Sequence, residues 1–260
     1  MRKYFCLALV LAPLSSFCQF KKINSFVLND TVASVAVDRP GDLYLNTIHN
    51  GLQKFDGDGN MKLDRKNNPV PDLFDPRDGA RMFAFYRQTR QYAYLNPEGE
   101  TLSITTLDSA FALDPWLACA SGDLNIWVVD AADQSLKKIN TRIKRIEAEV
   151  KLSASIKPNE ILYLREYQGF LFLLSKECDI HIFNSMGKSI KIISSTTSSY
   201  FNFLGEELYY LYNNRLKFFD LFSTETREIN LPLPCTFALL TDERLYLVKD
   251  ASMVIFDVKK

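Results

Sequence analysis

Residues 41–56 read GDLYLNTIHNGLQKFD, and residues 57–60 extend the end into a DGDGN run. A short apolar run centred on Tyr44 leads to the Asn-Gly pair at 50–51, and a second run through Leu52 and Phe55 follows. Asn-Gly between two apolar runs is a strong short-range hairpin signal, because both residues tolerate the positive φ that a tight turn requires. The DGDGN run has two readings. Asp56, Asp58 and Asn60 copy the opening of a calcium-binding loop, but a full loop would want Gly at 61 and Glu at 67, where Met61 and Asn67 stand. The preferred reading is a tight turn in which Gly57 and Gly59 supply positive φ and the Asx side chains cap their own backbone, with calcium as the lesser alternative.

The same hairpin outline recurs. It returns in QYAYLNPEGETLSITTLD (91–108), LNIWVVDAADQSLKKIN (124–140), GFLFLLSKECDIHIFN (169–184), EELYYLYNNRLKFFD (206–220) and ERLYLVKDASMVIFD (243–257). Taking Tyr44, Tyr94, Trp127, Phe172, Tyr209 and Tyr246 as equivalent gives spacings of 50, 33, 45, 37 and 37 residues. Their mean, about 40, is the length of a four-stranded propeller blade. A further apolar strand precedes each hairpin, among them Val32 to Val37, Arg81 to Tyr86 and Thr236 to Leu240. The run TRIKRIEAEVK is the one helix-like stretch, and its position in the repeat makes it an outer strand.

These segments predict an all-β, six-bladed β-propeller with blades at about 31–64, 80–114, 115–153, 159–194, 199–232 and 235–260. The sixth unit is one strand short, so an N-terminal strand at 22–29 is expected to close the last blade. GDLYLNTIHNGLQKFDGDGN also resembles the repeat of two-component-regulator propellers and, more loosely, of NHL-type propellers. Asp42, Tyr44, Thr47, Gly51, Leu52, Phe55, Asp56 and Gly59 fall on that repeat. The other units match only its hydrophobic outline. The resemblance implies a six-bladed ring, and from blade one alone a sensor of small molecules.

Composition narrows the function. Thirty-one basic residues balance 31 acidic ones, and no basic patch with interleaved aromatics appears, so a nucleic-acid partner is not expected. Residues 1–18 place Arg2 and Lys3 before an apolar run and a small-x-small site, which reads as a secretory signal peptide. The rival reading is acylation of Cys18, against which bulky Phe17 counts. No later stretch is apolar for long enough to cross a membrane as a helix. Periplasmic, outer-membrane-associated or extracellular residence follows. Cys119, Cys178 and Cys235 show no metal-binding spacing and read as small buried hydrophobes in strands.

No nucleophile–base pairing stands out, with His49 and His181 the only histidines and in separate blades. The innermost strands read as small and apolar, which implies a filled, structural channel, and no cofactor is expected. The segment RKNNPVPDLFDPRDGAR (65–81) reads as a long surface loop. In it Leu73 and Phe74 form an apolar pair with Arg77 and Arg81 nearby, and His49 is expected on the same face, making these the candidate partner-binding residues. The expectation is an exported, non-catalytic scaffold in the bacterial envelope that binds a protein, peptide or glycan partner. The alternative is a metal-dependent hydrolase or lyase of the lactonase-like propeller type.

Overall fold

The computed structural model describes residues 19–49, 51–66, 69–122, 124–177, 179–194 and 200–259. The signal-peptide and acylation readings of residues 1–18, Asn50 and Cys178 lie outside them. The described residues form six four-stranded antiparallel sheets set around a ring.

β1 (Gln19–Val27) precedes the first complete blade, which is β2 (Val32–Val37), β3 (Leu43–Thr47), β4 (Gly51–Phe55) and β5 (Met61–Arg65). Blade two is β6 (Leu73–Asp75), β7 (Met82–Tyr86), β8 (Gln91–Leu95) and β9 (Thr101–Thr106), and blade three is β10 (Pro115–Ala120), β11 (Asn125–Asp130), β12 (Ser135–Asn140) and β13 (Arg145–Lys151). Blade four is β14 (Ile161–Tyr167), β15 (Phe170–Ser175), β16 (Asp179–Phe183) and β17 (Ser189–Ser194). Blade five is β18 (Phe201–Leu204), β19 (Glu207–Tyr212), β20 (Arg215–Asp220) and β21 (Thr226–Asn230). Blade six takes β22 (Phe237–Leu240), β23 (Arg244–Lys249) and β24 (Ser252–Lys259) from the C-terminus, and β1 pairs antiparallel with β24 as its outer strand. The N-terminal strand therefore closes the ring, as the missing strand of the sixth repeat requires. TRIKRIEAEVK supplies outer strand β13, whose exposed and half-buried residues alternate strictly.

Blade two corrects the sequence reading. Its innermost strand is Leu73–Asp75, inside the presumed surface loop, and Met82–Tyr86 is its second strand, so the blade begins at 73 rather than 80. Leu73 and Phe74 are 2% and 5% exposed. Phe74 packs on Tyr44 of blade one with ring centroids 5.6 Å apart. They hold blades together and cannot act as exposed anchors.

With that shift the repeat becomes more even. The residue at the centre of each second strand is Tyr44, Phe83, Trp127, Phe172, Tyr209 or Tyr246, spaced 39, 44, 45, 37 and 37 apart, and Tyr94 drops out of the set. All six are among the largest fully buried side chains. Burial of each such ring stabilises the fold by roughly 1.5–3 kcal/mol. Three of them have polar tips that find partners in the following blade. Trp127 Nε1 donates to Glu166 Oε2 at 2.6 Å, Tyr209 Oη to the Leu240 carbonyl at 3.1 Å, and Tyr246 Oη to the Gly41 carbonyl at 2.8 Å. Each latch ties the middle of one blade to an inner strand or turn of the next.

DGDGN shares the geometry of the other third-to-fourth-strand turns. Asp56 Oδ1 accepts from the Asp58 and Asn60 amides at 3.1 and 2.8 Å. Asn96 Oδ1 accepts from Glu100 N, Asn140 Oδ1 from Arg142 N and Ile143 N, Asn184 Oδ1 from Met186 N and Lys188 N, and Asp220 Oδ1 from Phe222 N and Ser223 N. One Asx cap thus opens the equivalent turn of five blades. Asp58 meanwhile pairs with Arg244 of blade six at 3.2 Å. Among the described residues no group of His, Cys, Asp and Glu side chains suits a metal ion.

Candidate functional site

In each blade the first-to-second and third-to-fourth turns lie at one end of the ring, and the second-to-third turns with the inter-blade connections lie at the other. A cavity of about 840 Å³ opens on the first of these faces, lined from all six blades. Beneath it lies a single layer of the inner strands, of which Asp75, Arg165 and Asn202 reach the cavity. The residues paired with the six buried second-strand aromatics are Ala36, Asp75, Cys119, Arg165, Asn202 and Leu239. Three of the six are polar, so the channel is not the apolar plug that the strand sequences suggested.

The polar groups engage one another across blades. Asp75 takes Arg77 Nε on both oxygens, at 2.9 and 2.8 Å, and pairs with Nη2 at 2.5 Å. Arg77 Nη1 reaches the Glu166 carbonyl of blade four. Burial by itself would raise the Asp75 carboxyl, but the Arg77 guanidinium, with Arg165 behind it, outweighs that and holds it at about 2. The Glu166 carboxylate is likewise occupied. Ser121 Oγ donates to Oε2 at 2.8 Å alongside Trp127 Nε1, and the Gly122 amide donates to Oε1 at 2.9 Å. Cys119 lies in the same layer, and burial together with the nearby Glu166 charge pushes its thiol well above the usual range. It is inert as a nucleophile at neutral pH. Cys235 is half-buried in a connection between blades, not in a strand as expected.

Arg165 is only 6% exposed, and its Nη1 donates to Asn202 Oδ1. Asn202 Oδ1 also accepts from Phe203 N at 2.9 Å, and two donors on one oxygen fix the orientation of the amide. Arg165 Nε and Asn202 Nδ2 have no hydrogen-bond partner. Above this floor, Arg81 lies over the Tyr94 ring at 3.7 Å, and Tyr167 stacks on Phe203 with centroids 4.0 Å apart.

The predicted site residues are therefore dispersed. Arg77 and Arg81 line this funnel, whereas Leu73 and Phe74 are core. His49 sits at the opposite face, its Nδ1 3.1 Å from Asp30 Oδ1, and its side chain is 80% exposed. His181, on β16, is buried, and burial lowers its pKa. Neither histidine lines the funnel. On the His49 face a smaller recess of about 550 Å³ lies between blades one and two, bordered by residues 69–72 of the presumed loop. Sequence reasoning missed Asp75, Arg165 and Asn202. Their signal was a charged or amide residue in each of the short, mostly apolar inner strands LFD, ILYLREY and FNFL, with Glu166 beside Arg165 in the second.

These features define a six-bladed β-propeller with a polar funnel built by its inner strands. Compared by sequence, the chain matches no protein-family model and no curated protein. Compared by structure, it is similar to virginiamycin B lyase from Staphylococcus aureus, with a TM-score of 0.57 and 12% identity over 93% of this chain and 100% of the lyase. It is similar to the extracellular domain of BT4673 from B. thetaiotaomicron, with a TM-score of 0.53 and 14% identity over 86% of this chain and 33% of that one. It is also similar to PorZ of Porphyromonas gingivalis, with a TM-score of 0.54 and 10% identity over 91% of this chain and 39% of that one. At these identities the likeness establishes the fold alone. No described helix is long and apolar enough to cross a membrane.

Proposed function

We propose that the chain is an exported, non-catalytic recognition propeller of the bacterial envelope, which holds a segment of a partner protein in the funnel. The observation that carries this reading is the funnel floor, where side chains of blades two to five are fixed by mutual hydrogen bonds yet leave two buried donors unused. A rigid pocket with a few oriented polar groups is the general design of a binding site. Against catalysis, Arg77 holds the Asp75 carboxyl so far below its usual range that it is a weak base, the Glu166 carboxylate is taken up by Ser121, Gly122 and Trp127, and burial keeps the Cys119 thiol protonated. Export is supported by the leader-like residues 1–18. It is also supported by the extracellular setting of BT4673 and by the description of PorZ as a surface component of a secretion system.

The test is capture from envelope extracts with the purified chain and with Asp242→Trp, which adds bulk to an exposed turn at the funnel mouth. A partner retained by the native chain and lost by the variant is the expected result. A partner retained equally by both would move recognition off this face. Metal analysis completes the test, because one tightly held divalent ion per chain would favour the lactonase-like alternative instead.

A further inference from the structure

Burying a guanidinium without an anion is costly, and proteins normally pair such a group completely. Among the described residues Arg165 forms no direct ion pair and its Nε has no acceptor; its charge is met only by the nearby Asp75 carboxylate already engaged by Arg77, by the Phe203 ring at 5.4 Å and by Tyr163. The nearest acids have no capacity left for it. Asp75 spends both oxygens on Arg77, and both oxygens of Glu166 are taken by Ser121, Gly122 and Trp127. Asn202 Nδ2 in the neighbouring blade is a second unused donor on the same floor, and Asn202 is only 1% exposed. Arg81 stands at the wall with its guanidinium on Tyr94 and likewise forms no ion pair among the described residues. What the floor lacks is therefore an acceptor, and a charged one repays the desolvation of Arg165 best.

We infer that the funnel takes the carboxylate of a peptide, received by Arg165 and Asn202 at the floor with Arg81 above. This rests on the funnel's being the recognition site. A peptide fits better than a sugar because aromatic faces are already used. Tyr167 and Phe203 each cover one face of the other and Arg81 covers one face of Tyr94, so each of these rings has already spent a face that a pyranose would stack on. The carboxylate can come from a chain terminus or from an acidic side chain.

The experiment measures binding of short synthetic peptides to the purified chain in three forms: a free C-terminal acid without acidic side chains, an amidated C-terminus with internal Asp or Glu, and the fully amidated Asn or Gln counterparts. One or both acidic forms should bind, with the counterparts weaker by about tenfold or more, as loss of a charge-assisted hydrogen bond predicts. Which acidic form binds identifies the source. Arg165→Met should abolish the discrimination with only a small fall in melting temperature, because the charge it removes supports Asp75 from a distance and makes no direct ion pair. Arg165→Lys, which keeps the charge but lacks Nε, should retain only part of it. Equal binding of acids and amides, lost in Asp242→Trp, would overturn the carboxylate while leaving the funnel as the site. Binding unaffected by Asp242→Trp, or no binding by any peptide, would overturn the recognition reading together with this inference. A uronate-bearing oligosaccharide that binds where no peptide does would overturn the choice of a peptide. A large drop in melting temperature for Arg165→Met, with discrimination intact in Arg165→Lys, would make Arg165 structural and sink the inference.

Discussion

Asp75 shows how much a single residue of the inner ring carries. Its carboxyl is buried, yet the two contacts to Arg77 and the nearby Arg165 charge keep it ionised down to about pH 2, against an ordinary value of 3.8. A group whose folded pKa is depressed stabilises the fold above its unfolded pKa and loses that stabilisation as pH falls through the folded one. The native chain should therefore lose stability between about pH 4 and pH 2 relative to Asp75→Asn, in which this titration is absent. Urea unfolding at stepped pH measures the difference, and parallel curves for the two proteins would exclude the linkage. Asp75→Ala at neutral pH leaves Arg77 buried without its anion and should cost about 3–5 kcal/mol, the range for breaking a buried pair from one side. None of this could be read from DLFDPRDG alone, where an Asp between Phe and Pro looks like a turn former. The charge makes sense only once closure of the ring brings the Glu166 carbonyl to Arg77.

The turn that opened the sequence reading works as part of an interface between blades. Gly59 has φ +89, and a Cβ there would lie 2.4 Å from the Phe26 ring of β1 and 3.0 Å from Ile255 Cδ1 of β24. Arg244 Nε donates to the Gly57 carbonyl at 2.9 Å, on the same seam. Gly59→Ala should thus strain the backbone and push against an aromatic ring, destabilising the chain by more than about 2 kcal/mol. Gly79→Ala, with nothing within 4 Å and no positive φ, should stay within about 0.5 kcal/mol. Chemical denaturation of the pair separates the two effects, and equal stabilities would remove DGDGN from the closure seam. Elements were legible where hydrophobic pattern and turn chemistry agreed, as in the paired strands β3 and β4. Blade two failed because β6 has only three residues and lies between Pro71 and Pro76, so local propensity signalled a loop. Its strand character comes from pairing with β7 and from burial of Leu73 and Phe74, which are tertiary effects.

For the whole molecule, stability depends on a ring that two distant segments close. β1 covers the outer edge of β24 along nearly its full length, from Gln19 opposite Lys259 to Val27 opposite Ser252. Phe20 meets Phe256 edge-on at 6.4 Å, and Phe26 reaches the blade-one residue Phe55 at 6.5 Å. One strand therefore completes the last blade and also presses it against the first. A chain beginning at residue 31 exposes that edge and opens the seam at once, so the loss should spread beyond blade six. Several kcal/mol are at stake, and for a protein of this size each moves the melting temperature by about 2–4 °C, so a fall on the order of 10 °C is expected. The transition should stay single, because every blade needs two neighbours to bury its faces. A synthetic peptide of residues 19–30 added in trans should restore part of the loss in proportion to its concentration, since it binds only the folded ring. An unchanged melting temperature in the shortened chain would show that blades one to five hold the ring without a clasp, and rescue by a scrambled peptide would show that the edge selects no particular strand.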